Sequence, residues 1–172
     1  KQLGESIFKN IKYCVIQSGT SLEGSTNTGS YSETRLRDML SVVKEYDLLT
    51  KEHNGDFLSP TLIKSKFNIG LDSINIAPEF GRIETRAYIR SIKNNNLNLL
   101  DTYWQICYNS RKWEKWVGED FDPFCDKERL IDICGHYVLS DNLFIDKVAN
   151  NLPSVDKVVE EEVIKKLSLL YE

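Results

Sequence analysis

Histidine is scarce in this 172-residue chain, with only His53 and His136, and there is one methionine. The four cysteines, Cys14, Cys107, Cys125 and Cys134, form no CxxC pair and share no ligand spacing with either histidine. That excludes a zinc-finger framework and reads as reduced thiols in a cytoplasmic protein. No apolar run approaches the roughly 18 residues of a membrane span. The opening KQLGESIFKN lacks the basic start and apolar middle of a signal peptide. Neither sign of charge dominates: 22 basic and 26 acidic residues are spread along the sequence for a net charge of -4. This leaves no electrostatic reason to expect nucleic acid or an anionic membrane as partner. The chain starts at Lys1 and not at Met, which fits a processed, trimmed or excerpted polypeptide.

What is present is an alternation of strands and helices. Glu5 to Ile11 reads as the end of a helix, and Tyr13 to Gln17 as a compact apolar strand. The Gly/Ser/Thr-rich loop Ser18 to Ser30 leads into Ser30-Tyr31-Ser32-Glu33, which has capping-box spacing, and then Leu36, Met39, Leu40 and Val43 recur on one helical face. A second unit repeats this order. Its strand Tyr46 to Thr50 runs into the polar Lys51-Glu52-His53-Asn54-Gly55-Asp56, and Ser59-Pro60 starts a helix that ends at Asn68-Ile69-Gly70. The third unit is the strand Asp72 to Ala77, a turn at Pro78 and Gly81, and a helix carrying Phe80, Ile83, Ala87 and Ile92 up to Asn94-Asn95-Asn96.

Three successive βα units imply a parallel sheet. From Leu97 the pattern is helical only, with segments Leu97 to Lys115, Lys127 to Leu139, Asp141 to Asn151, and a last amphipathic helix from Ser154. The expected fold is therefore α/β: a partial (β/α)8 TIM-type barrel contributing its last three βα units over 1–96, followed by a helical C-terminal appendage over 97–172. A complete barrel takes about 250 residues, so the remaining strands are expected outside this chain.

In parallel α/β folds chemistry collects at the carboxyl ends of strands. His53, flanked by Glu52 and Asp56 and followed by Asn54 and Gly55, is the sharpest candidate. It could act as a general base, hold a divalent metal such as zinc, or be a polar rim histidine oriented by a carboxylate. The Ser18 to Ser30 loop, with Gly19, Thr20 and Ser21 nearest the strand end, offers N–H groups and hydroxyls for a phosphate, or is a mobile solvated loop; the GK[ST] ending of a P-loop is missing. Asn75 follows the strand alternation of Ser73 and Ala77. Glu79 and Arg82 fall just past that strand, where Arg82 could clamp a phosphate or carboxylate or simply pair with Glu79. The aromatics Tyr103, Trp104, Tyr108, Trp113 and Trp116 have mostly the spacing of a buried helix face, and His136 reads as a core or capping residue.

The order of these motifs resembles the non-catalytic Z-type subunit family of class II D-tagatose-1,6-bisphosphate aldolase, matched to its C-terminal half. Lys51 to Phe57 is similar to the family's Glu-Ala-His-Ser-Thr-Asp-Tyr segment, Val15-Ile16-Gln17-Ser18-Gly19 to its Val-Val-Gln-Pro-Gly, and Ser73 to Arg86 to its Leu-Lys-Val-Gly-Pro-Ala-Leu strand; Trp113 to Gly118 resembles its Tyr-Trp region. The chain departs from the pattern at Asn75, at Ala77 and across Ile131 to Tyr137, as a divergent branch acting on another sugar phosphate would. The resemblance implies a role in carbohydrate metabolism, supporting or activating a catalytic class II aldolase subunit. The alternative is a metal-dependent aldolase or lyase in its own right. Sugar phosphate, a catalytic aldolase subunit and the missing barrel half are the implied partners.

Overall fold

Hydrogen-bonded pairing in the computed structural model, which describes residues 4–95 and 98–171, joins three short strands into one parallel sheet. These are β1 (Tyr13–Ile16), β4 (Leu49–Glu52) and β5 (Ser73–Ile74), in the order β1-β4-β5. Tyr13 lies opposite Leu49 and Ile16 opposite Glu52, while Lys51 and Glu52 face Ser73 and Ile74. The short helix α1 (Glu5–Phe8) precedes them. Between β1 and β4 come a two-stranded antiparallel hairpin, β2 (Leu22–Glu23) and β3 (Thr26–Asn27), and the helix α2 (Glu33–Lys44); α3 (Pro60–Ile69) links β4 to β5. The α/β class and the parallel, sequential strand order agree with the sequence reading.

Local signals explain most element ends. Ser59 caps α3 by accepting a hydrogen bond from the Leu62 N–H, Pro60 occupies its first position, and Gly70 at φ 121° closes it. The cap of α2 is Ser32, which accepts from Arg35 N–H, and not Ser30. The second strand also differs from expectation. Pairing of Val15 with Lys51 and of Ile16 with Glu52 carries β4 past Thr50, so Glu52 belongs to the strand and not to the loop after it.

The sheet is two-faced. Ile16, Thr50 and Glu52 are buried on the face that meets α2 and α3, together with Leu36, Val43, Ile63 and Leu71, whereas Tyr13, Val15 and Leu49 are exposed, Val15 to 59%. Alternation along a strand produces this segregation, since neighbouring side chains point to opposite faces.

Residues 1–76 form one compact unit and 77–172 a second. The second unit is helical: α4 (Pro78–Asn95), α5 (Asn98–Ser110), α6 (Lys127–Cys134), α7 (Asn142–Lys147) and α8 (Val155–Tyr171), with single 3-10 turns at Glu114–Trp116, Gly135–Tyr137 and Ala149–Asn151. The expected division at 96–97 thus falls after α4 in sequence, while the contacts divide the chain before it; Asn96 and Leu97 lie outside the described residues. Tyr88, Ile92, Tyr103, Cys107, Leu130, Ile131, Cys134, Phe144 and Val148 make its core. Tyr103 and Phe144 rings meet at 4.7 Å, and Trp104 stacks on Tyr108 at 5.4 Å, so Tyr103, Trp104, Tyr108 and Trp113 pack as a core and its margin, whereas Trp116 is exposed.

Candidate functional site

The carboxyl ends of β1 and β4 meet in a fully buried polar cluster. Ser18 donates to Glu52 Oε1 twice, through its backbone N–H at 2.6 Å and its hydroxyl at 2.5 Å. Lys66, which α3 sends inward beside Ile63, donates from Nζ to Glu52 Oε2 and to Ser18 Oγ, both at 2.6 Å. Side chains of Lys66 and Glu52 have no solvent exposure, and Nζ also sits 4.4 Å from the centre of the Tyr31 ring. Both carboxylate oxygens of Glu52 are therefore engaged, and the charge of each partner is matched where leaving it unmatched would be costly. Burial, and then the carboxylates of Glu33 and Glu52, push the Tyr31 phenol above its ordinary pKa, so it is neutral.

Two loops cross above this cluster. Thr20 Oγ1 donates to the carbonyl of His53 at 2.7 Å, and Asn27 Nδ2, at the end of β3, donates to the carbonyls of Asn54 (2.8 Å) and Asp56 (3.0 Å). Asn75 is tied to the same place, its N–H to Glu52 O at 2.8 Å and its carbonyl to Gly55 N–H at 2.9 Å. Asn54 and Phe57 are held in the left-handed region at φ 59° and 58°, an unusual pair of non-glycine residues in one short loop. Gly55 packs on Ile74 so closely that a Cβ there would collide with the Ile74 side chain. Gly19, at φ 112°, and Gly29 face each other backbone to backbone across the first loop.

Of the residues singled out in the sequence, Gly19, Thr20, Glu52, His53, Asn54, Asp56 and Asn75 are brought together by these bonds. His53 is exposed and Asp56 is buried. Ser21 joins through its N–H to Asn27 Oδ1 at 3.3 Å. Glu79 and Arg82 belong to the second unit. Lys166 pairs with Glu79 at 2.5 Å, and Arg82 with Asp132, both partners distant in sequence. Arg86 holds the other oxygen of Asp132 at 2.6 Å. Burial pushes the Asp132 carboxyl up, but the Arg86 hydrogen bond and the Arg82 charge outweigh it and hold it below the usual carboxylate range. His136, whose Cβ lies against Gly81, has both ring nitrogens buried and without a hydrogen-bond partner among the described residues; burial first, and Arg82 second, lower its pKa to about 4.

The donor set at His53 does not fit a zinc ion held by this chain's own residues. Glu52 spends both oxygens on Ser18 and Lys66. Among the described residues no group of three or more His, Cys, Asp or Glu side chains gathers as ligands.

Sequence reasoning missed Lys66 and Gln17, and within the Ser18 to Ser30 loop it did not single out Ser18 or Asn27. Lys66 carried a signal, since it falls three residues after the buried Ile63, on the inward phase of α3. The Asn27 contacts span 27 and 29 residues and leave no local pattern. Among the described residues no helix is long and apolar enough to cross a membrane. No protein-family model matches the chain, and no curated protein matches it.

Proposed function

We propose that this chain is the C-terminal part of a β/α-barrel subunit of the tagatose-bisphosphate-aldolase Z type, a cytoplasmic protein of carbohydrate metabolism that supports a catalytic class II aldolase subunit and meets a sugar phosphate at its strand ends. The observation that carries the reading is the open face of the sheet. Parallel sheets are ordinarily covered on both faces. Here α2 and α3 pack on one face, while Tyr13, Val15 and Leu49 stand exposed on the other. Those are the positions that point inward when strands curl into a barrel.

The edge of β1 supports the same reading. β1 is the outer strand of the sheet, and beside it an apolar cleft of about 430 Å³ opens between β1 and α2, lined by Val15, Met39, Val42 and Val43. A preceding strand and helix would pair with that edge and fill that cleft. The engagement of Glu52 by Lys66 and Ser18 favours a supporting role over a metal-dependent one.

The test combines the protein, in the longest form in which it is expressed, with a catalytic class II aldolase subunit and measures divalent-metal-dependent cleavage of ketose bisphosphates. The expected result is no cleavage by the protein alone and a gain in the activity or lifetime of the added subunit. Cleavage by the protein alone, abolished by chelation, would make it an enzyme in its own right.

A further inference from the structure

Two backbone N–H groups and a hydroxyl converge on one oxygen at the end of β1. The N–H groups of Gly19 and Thr20 point at Gln17 Oε1 from 3.1 and 2.9 Å, and Thr20 Oγ1 lies 2.8 Å from it. Successive N–H groups aimed at one point form a concave nest, the arrangement that receives an oxyanion. Here the occupant is a neutral amide oxygen on a half-buried side chain from the same loop. We infer that Gln17 is a built-in stand-in for a phosphate oxygen, and that the Gly19–Thr20 nest takes a phosphate group once Gln17 swings out.

The geometry shows how weakly the stand-in is held. A threonine hydroxyl has one proton, and Thr20 Oγ1 lies 2.7 Å from His53 O and 2.8 Å from Gln17 Oε1, both of which only accept. Donating to His53 leaves the amide oxygen with two good hydrogen bonds and a lone pair facing it. An anionic oxygen forms charge-assisted bonds to the same donors, roughly twice as strong as neutral ones. Nothing in the nest has to be built on binding: Gly19 is braced against Gly29, Ser18 against Glu52, and Thr20 against the His53 carbonyl. The nest also opens at the carboxyl end of a parallel strand, where such sheets hold ligands. The identity of the ligand as a sugar phosphate rests on the function proposed above; the nest and its displaceable glutamine do not.

The backbone amide signals of Gly19 and Thr20 are followed while the protein is titrated with inorganic phosphate and, in a second arm, with fructose bisphosphate. Both signals are expected to shift and saturate. Gln17→Ala should bind inorganic phosphate about fivefold more tightly, the change expected for one net hydrogen bond no longer displaced. Gln17→Glu, which seats a permanent negative oxygen in the nest, should bind roughly tenfold or more weakly. Tighter binding of the bisphosphate than of phosphate assigns the nest to a sugar phosphate, and equal binding assigns it to free phosphate. Unmoved Gly19 and Thr20 signals in the unaltered protein overturn the inference whatever the variants do, as does one affinity shared by all three folded proteins. Shifts at the nest without any effect on an aldolase subunit would uphold the nest and remove the accessory function; the reverse result would do the opposite.

Discussion

A lysine side chain with no exposure is costly unless every donor is used. Lys66 spends its donors on Glu52 and Ser18 under the face of Tyr31. Removing one partner strands the other, so Lys66→Ala is expected to cost about 3 to 5 kcal/mol in urea unfolding. Replacing the pair together, Lys66→Met with Glu52→Leu, should recover much of that loss, because an apolar pair of similar volume needs no compensation. His136 sets a second expectation at this scale. Its folded pKa of about 4 lies below its ordinary value of 6.5, so the unfolded chain binds a proton more readily between those limits. Stability is therefore present above about pH 6.5 and lost as pH falls toward 4. The charged groups facing the ring are Arg82, Asp132 and Lys115; Asp132, with its depressed pKa, adds its own loss only as pH falls below 3.8. Melting temperature measured across this window should fall steadily, and His136→Leu should flatten the slope. A slope unchanged by that substitution would remove His136 as its source.

At the scale of elements, α3 is defined by Ser59, Pro60 and Gly70. Ser59→Ala is expected to cost about 1 kcal/mol, read as a shift of the unfolding midpoint with no change of slope. These ends were legible because capping is local: the Ser59 oxygen and the Leu62 N–H it accepts from lie within one turn, and Gly70 directly follows the last helical residue at the other end. The strand Tyr13–Ile16 was legible from its apolar run and the stripe Leu36, Met39, Leu40 and Val43 from its spacing, whereas of the expected third strand, Asp72 to Ala77, only Ser73–Ile74 pair. The hairpin β2–β3 was not legible, since Leu22–Glu23 and Thr26–Asn27 are too short and polar to show a period of two. Nor could the end of β4 be read, because its extension to Glu52 depends on pairing with Ile16, 36 residues earlier in numbering. The candidate site was half legible for the same reason. The loop residues stood out as polar punctuation after strands, whereas the bonds that order them connect positions far apart.

For the whole molecule, the open sheet face is the feature with the widest reach. Val15→Asp replaces an exposed side chain in the first unit, so the unit should keep its helix content and cooperative unfolding. If strands from elsewhere cover that face, the same substitution buries an unpaired charge and should weaken their association by roughly tenfold or more. Light scattering of the chain mixed with a polypeptide carrying the preceding strands that the proposed function calls for distinguishes the two outcomes. Unchanged association would mean that this face meets solvent.

The Asn54–Gly55 step has one more consequence, for chemical ageing. Asparagine followed by glycine is prone to spontaneous deamidation, in which the following backbone nitrogen attacks the side-chain amide carbon and forms a five-membered imide. In this loop that nitrogen donates to Asn75 O at 2.9 Å, and Asn54 is fixed at φ 59°. Attack requires the hydrogen bond to break and the loop to turn, so the folded protein should age at this peptide bond only through openings of the loop. Isoaspartate accumulating at Asn54 during storage would then serve as a slow clock for those openings.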